Sequence, residues 1–112
     1  MASNIYAIKT NELNDFIGYN KPIKLIMFYK QDCPFCKIQL EKIRNIASKY
    51  QDKINCAICD VTGKTKFCID NDIVGLPTIH IYNNNKLVFV NGSYIESNKL
   101  IDALKENIII DK

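Results

Sequence analysis

The stretch from Lys24 to about Tyr50 limits the possible folds of this chain more than any other. It opens with an uninterrupted apolar run, Leu25-Ile26-Met27-Phe28-Tyr29, in which polar and apolar side chains do not alternate. A strand over Lys24 to Tyr29 with that pattern has both faces buried, as inner strands do in a parallel sheet covered by helices. From Pro34 the period changes. Cys36, Leu40, Ile43, Ala47 and Tyr50 recur at helical spacing and form one inward stripe, which predicts a helix from Pro34 to about Tyr50. Between strand and helix stands Cys33-Pro34-Phe35-Cys36. Proline is favoured at the first helical position, where its missing N–H costs nothing, so Cys33 falls at the N-cap.

The rest of the chain repeats this alternation. Asn4 to Lys9 reads as a short strand carrying Ile5, Tyr6 and Ile8. Asn11 to Tyr19 reads as a helix with Leu13, Phe16 and Ile17 on one face, Thr10 or Asn11 as its cap, and Pro22 beyond its end. Ile54 to Val61 is strand-like, and Thr65 to Asp72 is a short helix. Thr78 to Tyr82 and Lys86 to Val90 are strands joined by an Asn83-Asn84-Asn85 turn. Ser97 caps a last helix that carries Leu100, Ile101, Leu104 and Ile108. The order β-α-β-α-β-α-β-β-α is that of an α/β fold: a central mixed sheet with helices on both faces. At 112 residues the expectation is a single domain over residues 1–112 with an ordinary hydrophobic core.

Composition removes several function classes. A net charge of +3 announces no nucleic-acid partner, and 19 Ile, 14 Lys and 13 Asn suggest a chain-wide bias with most lysines on solvated surface. No apolar stretch approaches the ~18 residues of a membrane span. Met1 to Thr10 lacks the basic-then-apolar pattern of a signal peptide. A cytoplasmic, reducing location and a monomer are expected, with no membrane and no nucleic acid. Five cysteines in that setting do not read as a disulfide framework.

Chemistry concentrates at Cys33 and Cys36. Unpaired backbone N–H groups and the helix dipole favour negative charge at the helix tip, and the thiolate is the nucleophilic form of cysteine. Cys36, one turn on, belongs to the inward stripe. Cys33 would attack a substrate disulfide and Cys36 would then attack Cys33, releasing reduced substrate and closing a Cys33–Cys36 disulfide. The protein would need no other cofactor. A rival is zinc, because Cys33/Cys36 and Cys56/Cys59 have the spacing of a four-cysteine site. Against it, Cys56 and Cys59 lie in a strand pattern, where an offset of three residues points side chains to opposite faces. No metal is expected.

With this motif opening a helix after a buried strand, the chain resembles thioredoxin-fold oxidoreductases. Val74-Gly75-Leu76-Pro77-Thr78 looks like the family's cis-proline loop, and Cys59-Asp60-Val61 like its strand end, so the resemblance spans roughly Ile23 to Ile109. It implies a cis Leu76–Pro77 bond facing the cysteines, with Gly75, Leu76 and Pro77 joining Pro34 and Phe35 in substrate binding. The Leu76 backbone would pair with an extended substrate segment. Protein disulfides would be the substrates, and a reductase or glutathione the electron donor. Cys-Pro-Phe-Cys after Tyr29-Lys30 also resembles a glutaredoxin site, in which Lys30 would contact glutathione. The single Gly92 and the amino-terminal strand and helix fit a thioredoxin better. Glutathione-dependent activity is one alternative, and an interaction module with little turnover is another.

The chain departs from the family at three places. Met27 stands where thioredoxins carry a buried Asp that takes the proton from the second cysteine, and the Lys that partners this Asp maps near Cys56. Asp32 replaces the Trp before the first cysteine. Elsewhere, His80 reads as a hydrogen-bonded sheet histidine, Cys56 and Cys59 as core residues, and Cys68 as the most exposed of the remaining thiols.

Overall fold

The computed structural model describes residues 5–108. Asn4, Ile109 and the side chain of Ile108 lie outside the described residues. The chain runs β1 (Ile5–Ile8), a 3-10 turn (Thr10–Glu12), α1 (Leu13–Ile17), β2 (Ile23–Tyr29), α2 (Pro34–Lys49) and β3 (Ile54–Asp60). It continues through α3 (Thr65–Asp70), β4 (Thr78–Asn83), β5 (Lys86–Asn91) and α4 (Ser97–Ile108). This is the expected order of elements.

The five strands lie in the order β1-β3-β2-β4-β5. β3 is parallel to both β1 and β2, while β4 is antiparallel to β2 and β5 antiparallel to β4. The all-apolar β2 is therefore the middle strand, and each face of it is covered. Under α2 and α4, Leu25 and Met27 pack with Ile43, Cys56, Ile79 and Leu104. On the opposite side, Ile26 and Phe28 pack with Leu13, Phe16, Cys59 and Ile73. At roughly 1.5–3 kcal/mol for each large side chain removed from water, β2 is the most heavily anchored strand.

Most boundaries fall within one or two residues of the sequence reading, and three of the differences have a local cause. The first helix begins late and tightly: Lys9 precedes a 3-10 turn, the Glu12 carboxylate accepts the Lys9 N–H at 2.7 Å, and α1 starts at Leu13. Neither Thr10 nor Asn11 is its cap. The short helix ends at Asp70, because Asp72 turns the chain with φ 55°. In the hairpin, Asn83 is the last residue of β4, and the turn consists of Asn84 and Asn85 at φ 53° and 69°. Asparagine tolerates this left-handed region, and such turns match the twist of the flanking strands.

Lys24 and His80 are buried polar side chains of the sheet. Lys24 in β2 is an exception to the mostly solvated lysines, and its ammonium donates to the carbonyls of Ile17 and Lys21. The Ile17 carbonyl ends α1, where a cation is favoured, and the Lys21 carbonyl lies in the loop beyond, while burial lowers the Lys24 pKa. His80 differs from the hydrogen-bonded side chain expected: its Nδ1 has no partner, and the ring lies edge-on to Phe28 at 4.9 Å.

Burial pushes the His80 pKa below its usual value of 6.5. A folded-state pKa lower than the unfolded one means that the unfolded chain binds more protons, so stability is intact above about pH 6.5 and declines as pH falls through and below that value. Urea midpoints measured from pH 7.5 to 5 should fall for the wild type, and the slope should flatten in His80→Phe. An equal slope in both would show that other groups control the effect.

Candidate functional site

The site lies at the carboxyl end of β2, where the sheet hands the chain to α2. Cys33 is the N-cap of α2 and Pro34 occupies the first turn. The Cys33 Sγ accepts the backbone N–H of Cys36 at 3.2 Å, the side-chain capping bond that a serine or aspartate oxygen makes elsewhere. The two cysteines form a disulfide with their Cα atoms 5.2 Å apart. The Cys36 N–H and the helix terminus thus meet at the position where a Cys33 thiolate would carry its charge.

The two sulfurs face different surroundings. Cys33 lines an outer groove of about 420 Å³ together with Phe35, Val74, Gly75, Leu76 and Cys68. Cys36 is absent from that groove and lines a second pocket of about 230 Å³, which Cys33 also reaches; Met27, Leu40 and Ile58 form its apolar side and exposed Lys30, Gln31 and Lys37 its rim. Exposure follows the same order, 8% for Cys33 and 3% for Cys36. A substrate entering from solvent therefore meets Cys33 first.

The wall opposite Cys33 is the segment before β4. The Leu76–Pro77 bond is cis. The Thr78 hydroxyl donates to the Gly75 carbonyl at 2.5 Å and ties the loop across a proline that has no N–H to give. A side chain at Gly75 would meet the Gly92 carbonyl at 3.2 Å, so glycine permits two loops to approach here. Val74 is 96% exposed and Phe35 60%, and both belong to the groove. Gly75 and Leu76 share the groove with Cys33, whereas Pro77 is buried and lines neither it nor the second pocket. Exposed Lys30 reaches both spaces, and Asp32 lies at the groove beside Cys33.

Below the site, the ends of β2 and β3 are laced together. Val61 N–H donates to the Tyr29 carbonyl at 2.8 Å, and the Asp60 carboxylate accepts from the Thr62 hydroxyl and N–H and from Gln31. The Thr62 hydrogen bonds hold the Asp60 carboxyl below its usual pKa.

Among the described residues, no carboxylate is buried behind Cys36. Met27 is flanked in the sheet by Ile58 and Ile79, while Cys56, near which the family's partner lysine maps, lies opposite Leu25. Cys56 packs under α2 and α4, and Cys59 on the other side of the sheet. Their thiols and the Cys33–Cys36 pair do not converge on a point that one tetrahedral ion could occupy. Burial raises the Cys56 thiol to about 12 and the Cys59 thiol to about 11. Cys68 is half-buried at the groove.

Two participants escaped the sequence reading. Tyr94 stacks on Phe35 with ring centroids 6.2 Å apart. Gln39 is fully buried on α2 and makes two hydrogen bonds to the Ile95 backbone. Its spacing from Cys36 and Ile43 was the available signal, because it places a polar residue on the inward stripe.

Comparison with known proteins agrees with this geometry. The thioredoxin family model matches residues 4–107. A thioredoxin-like protein of Synechocystis is 29% identical over 91 residues, 81% of this chain and 83% of that one. A thioredoxin of Peptoclostridium acidaminophilum is 27% identical over 84 residues, 75% of this chain and 70% of the other. The crystal structure of Chlamydomonas reinhardtii thioredoxin f2 superimposes with a TM-score of 0.82 at 15% identity, covering 94% of this chain and 97% of that one.

The thiol environments predict a labelling order. In the reduced native protein near pH 7, iodoacetamide should modify Cys33 and Cys68. Cys56 and Cys59 should react at least about a hundredfold more slowly than a free thiol, because the thiolate is the reactive form. Labelling of all the cysteines at similar rates, read by peptide mass mapping, would contradict the burial described.

Proposed function

This chain belongs to the thioredoxin family, and from that premise we propose that it is a thiol–disulfide oxidoreductase acting on protein disulfides, with Cys33 as nucleophile and Cys36 as resolving thiol. The family generally acts on protein disulfides with a reductase as donor. One observation supports the assignment of roles above the others: Cys33 caps α2 and lines the groove beside the cis-proline loop, from which the less exposed Cys36 is absent.

The reaction proceeds in two exchanges. The Cys33 thiolate attacks one sulfur of the substrate disulfide, forming a mixed disulfide and expelling the other substrate sulfur as a thiolate, which takes up a proton. Cys36 loses its proton and attacks the Cys33 sulfur, forming the Cys33–Cys36 disulfide and releasing the second substrate thiol. Two electrons and two protons pass from the enzyme dithiol to the substrate. A reductase restores the dithiol. Pro34, Phe35, Gly75, Leu76 and Pro77 shape the place where an extended substrate segment lies. The protein works as a cytoplasmic monomer with no cofactor beyond its own disulfide.

Lys30 supports a second reading. Its position at the groove beside Cys33 suits a glutathione carboxylate, which would make glutathione the donor. A thioredoxin reductase and glutathione, offered separately to the oxidised protein, distinguish the two donors by which one regenerates free thiols.

The proposed activity is tested by reduction of a protein disulfide substrate with dithiothreitol as terminal donor. The wild type should accelerate it and Cys33→Ser should fall to the rate of dithiothreitol alone. Equal rates for the two proteins would overturn the reading. The carboxylate-free interior adds a prediction about the second step. Without a buried base, deprotonation of Cys36 is slow, and positioned bases contribute roughly 10²–10⁴-fold. Met27→Asp should therefore shorten the lifetime of the mixed disulfide by at least about tenfold in quenched-flow trapping, and an unchanged lifetime would show that the base is supplied elsewhere.

A further inference from the structure

The loop between β5 and α4 does not itself line the groove at Cys33, yet it backs two residues that do, Phe35 and Gly75. The Gln39 side chain holds it. From the first turns of α2, the Gln39 amide donates through Nε2 to the Ile95 carbonyl at 3.0 Å and accepts the Ile95 N–H at Oε1 at 2.8 Å. Both groups of one loop residue are thus bound by one side chain of the helix that carries both cysteines. Ile95 itself is buried in the core under α2 and α4. Next to it, Tyr94 projects to the ring of Phe35 at 6.2 Å, and the Gly92 carbonyl abuts Gly75. A paired amide clamp of this kind has directional requirements that apolar packing lacks, so it sets the orientation of the loop as well as its position.

We propose that Gln39 is a positioning residue for substrate recognition: its clamp on Ile95 holds Tyr94 behind Phe35, and the two rings form an apolar wall that selects protein segments with an apolar or aromatic side chain next to the reactive cysteine. Phe35 is 60% exposed and lines the groove with Cys33, so its ring is available to a side chain flanking the substrate cysteine. Alone on the surface, Phe35 could take several rotamers. Backed by Tyr94 it keeps one face toward the groove, and a rigid aromatic surface gives contact area at low conformational cost. The inference rests on the proposed disulfide exchange at Cys33. The competing role for Gln39 is structural only: it satisfies two buried backbone groups that would otherwise lack partners.

Two peptide disulfides separate these roles. They are identical except that one carries Phe and the other Gly beside each cysteine, and both are reduced by the full-length protein with dithiothreitol as donor. The wild type should favour the Phe peptide in kcat/KM. Gln39→Met, close in volume but without the amide, should lower the Phe-to-Gly ratio about fivefold, through KM for the Phe peptide. Tyr94→Ala should lower it by the same factor, and the double variant no further. Gln39→Glu keeps the acceptor for Ile95 N–H and loses the donor, so its ratio should lie between, which retains a test of Gln39 should Gln39→Met not fold. A Gln39 variant that weakens both peptides equally has only a fold-supporting side chain, and the proposal fails. It fails likewise if the ratio drops in Tyr94→Ala but stays at the wild-type value in the Gln39 variants. A wild type that reduces both peptides without preference overturns the selectivity while leaving the oxidoreductase reading in place. A wild type that reduces neither overturns both.

Discussion

Everything at the reactive end of this protein depends on the way β2 is gripped. It is hydrogen-bonded on both edges, to β3 and to β4, and its two faces are sealed by separate clusters. A strand held on four sides cannot slide by one residue without turning every core side chain outward. The point at which the chain leaves the sheet is therefore fixed, and with it the start of α2 and the position of Cys33. The placing of Cys33 against the helix terminus, the facing loop and Cys36 is thus set by a strand that carries neither cysteine.

The same burial divides the two thiols chemically. Toward solvent the pair meets a groove with Lys30 and Asp32 at its edge. On its other side it meets Met27, Leu40 and Ile58, with exposed Lys30, Gln31 and Lys37 at the rim. The two steps of the proposed exchange would therefore take place in different surroundings. Replacing a buried acid by Met27 removes a desolvated charge from the core, a group that is costly when unpaired. It also removes the nearest base. Among the described residues, the face of the sheet behind Cys36 contributes packing and no carboxylate.

The fold was legible because its signals are local and redundant. The unbroken apolar run of β2, the stripe of α2 and the proline after Cys33 each specify their own element, and together they leave one arrangement. The opposite faces of Cys56 and Cys59 follow from strand periodicity alone. What escaped the reading depends on partners distant in sequence. Lys24 opens the run read as a buried strand, but the carbonyls of Ile17 and Lys21 that accept its ammonium carry no local signal. Gln39 meets Ile95, and Phe35 meets Tyr94, across more than fifty residues of chain. The late start of α1 has a smaller cause, the Glu12 carboxylate capping Lys9 N–H.

The central claim is the order of attack: Cys33 first, Cys36 second. Variants of each cysteine, incubated with a protein disulfide and quenched with acid, report it directly by mass spectrometry of the covalent adducts. Cys36→Ser should accumulate a stable adduct whose only linkage is through Cys33, and Cys33→Ser should accumulate none. An adduct through Cys36 in the second variant, formed as fast as that of the first, would contradict the roles that the helix tip and the two cavities assign.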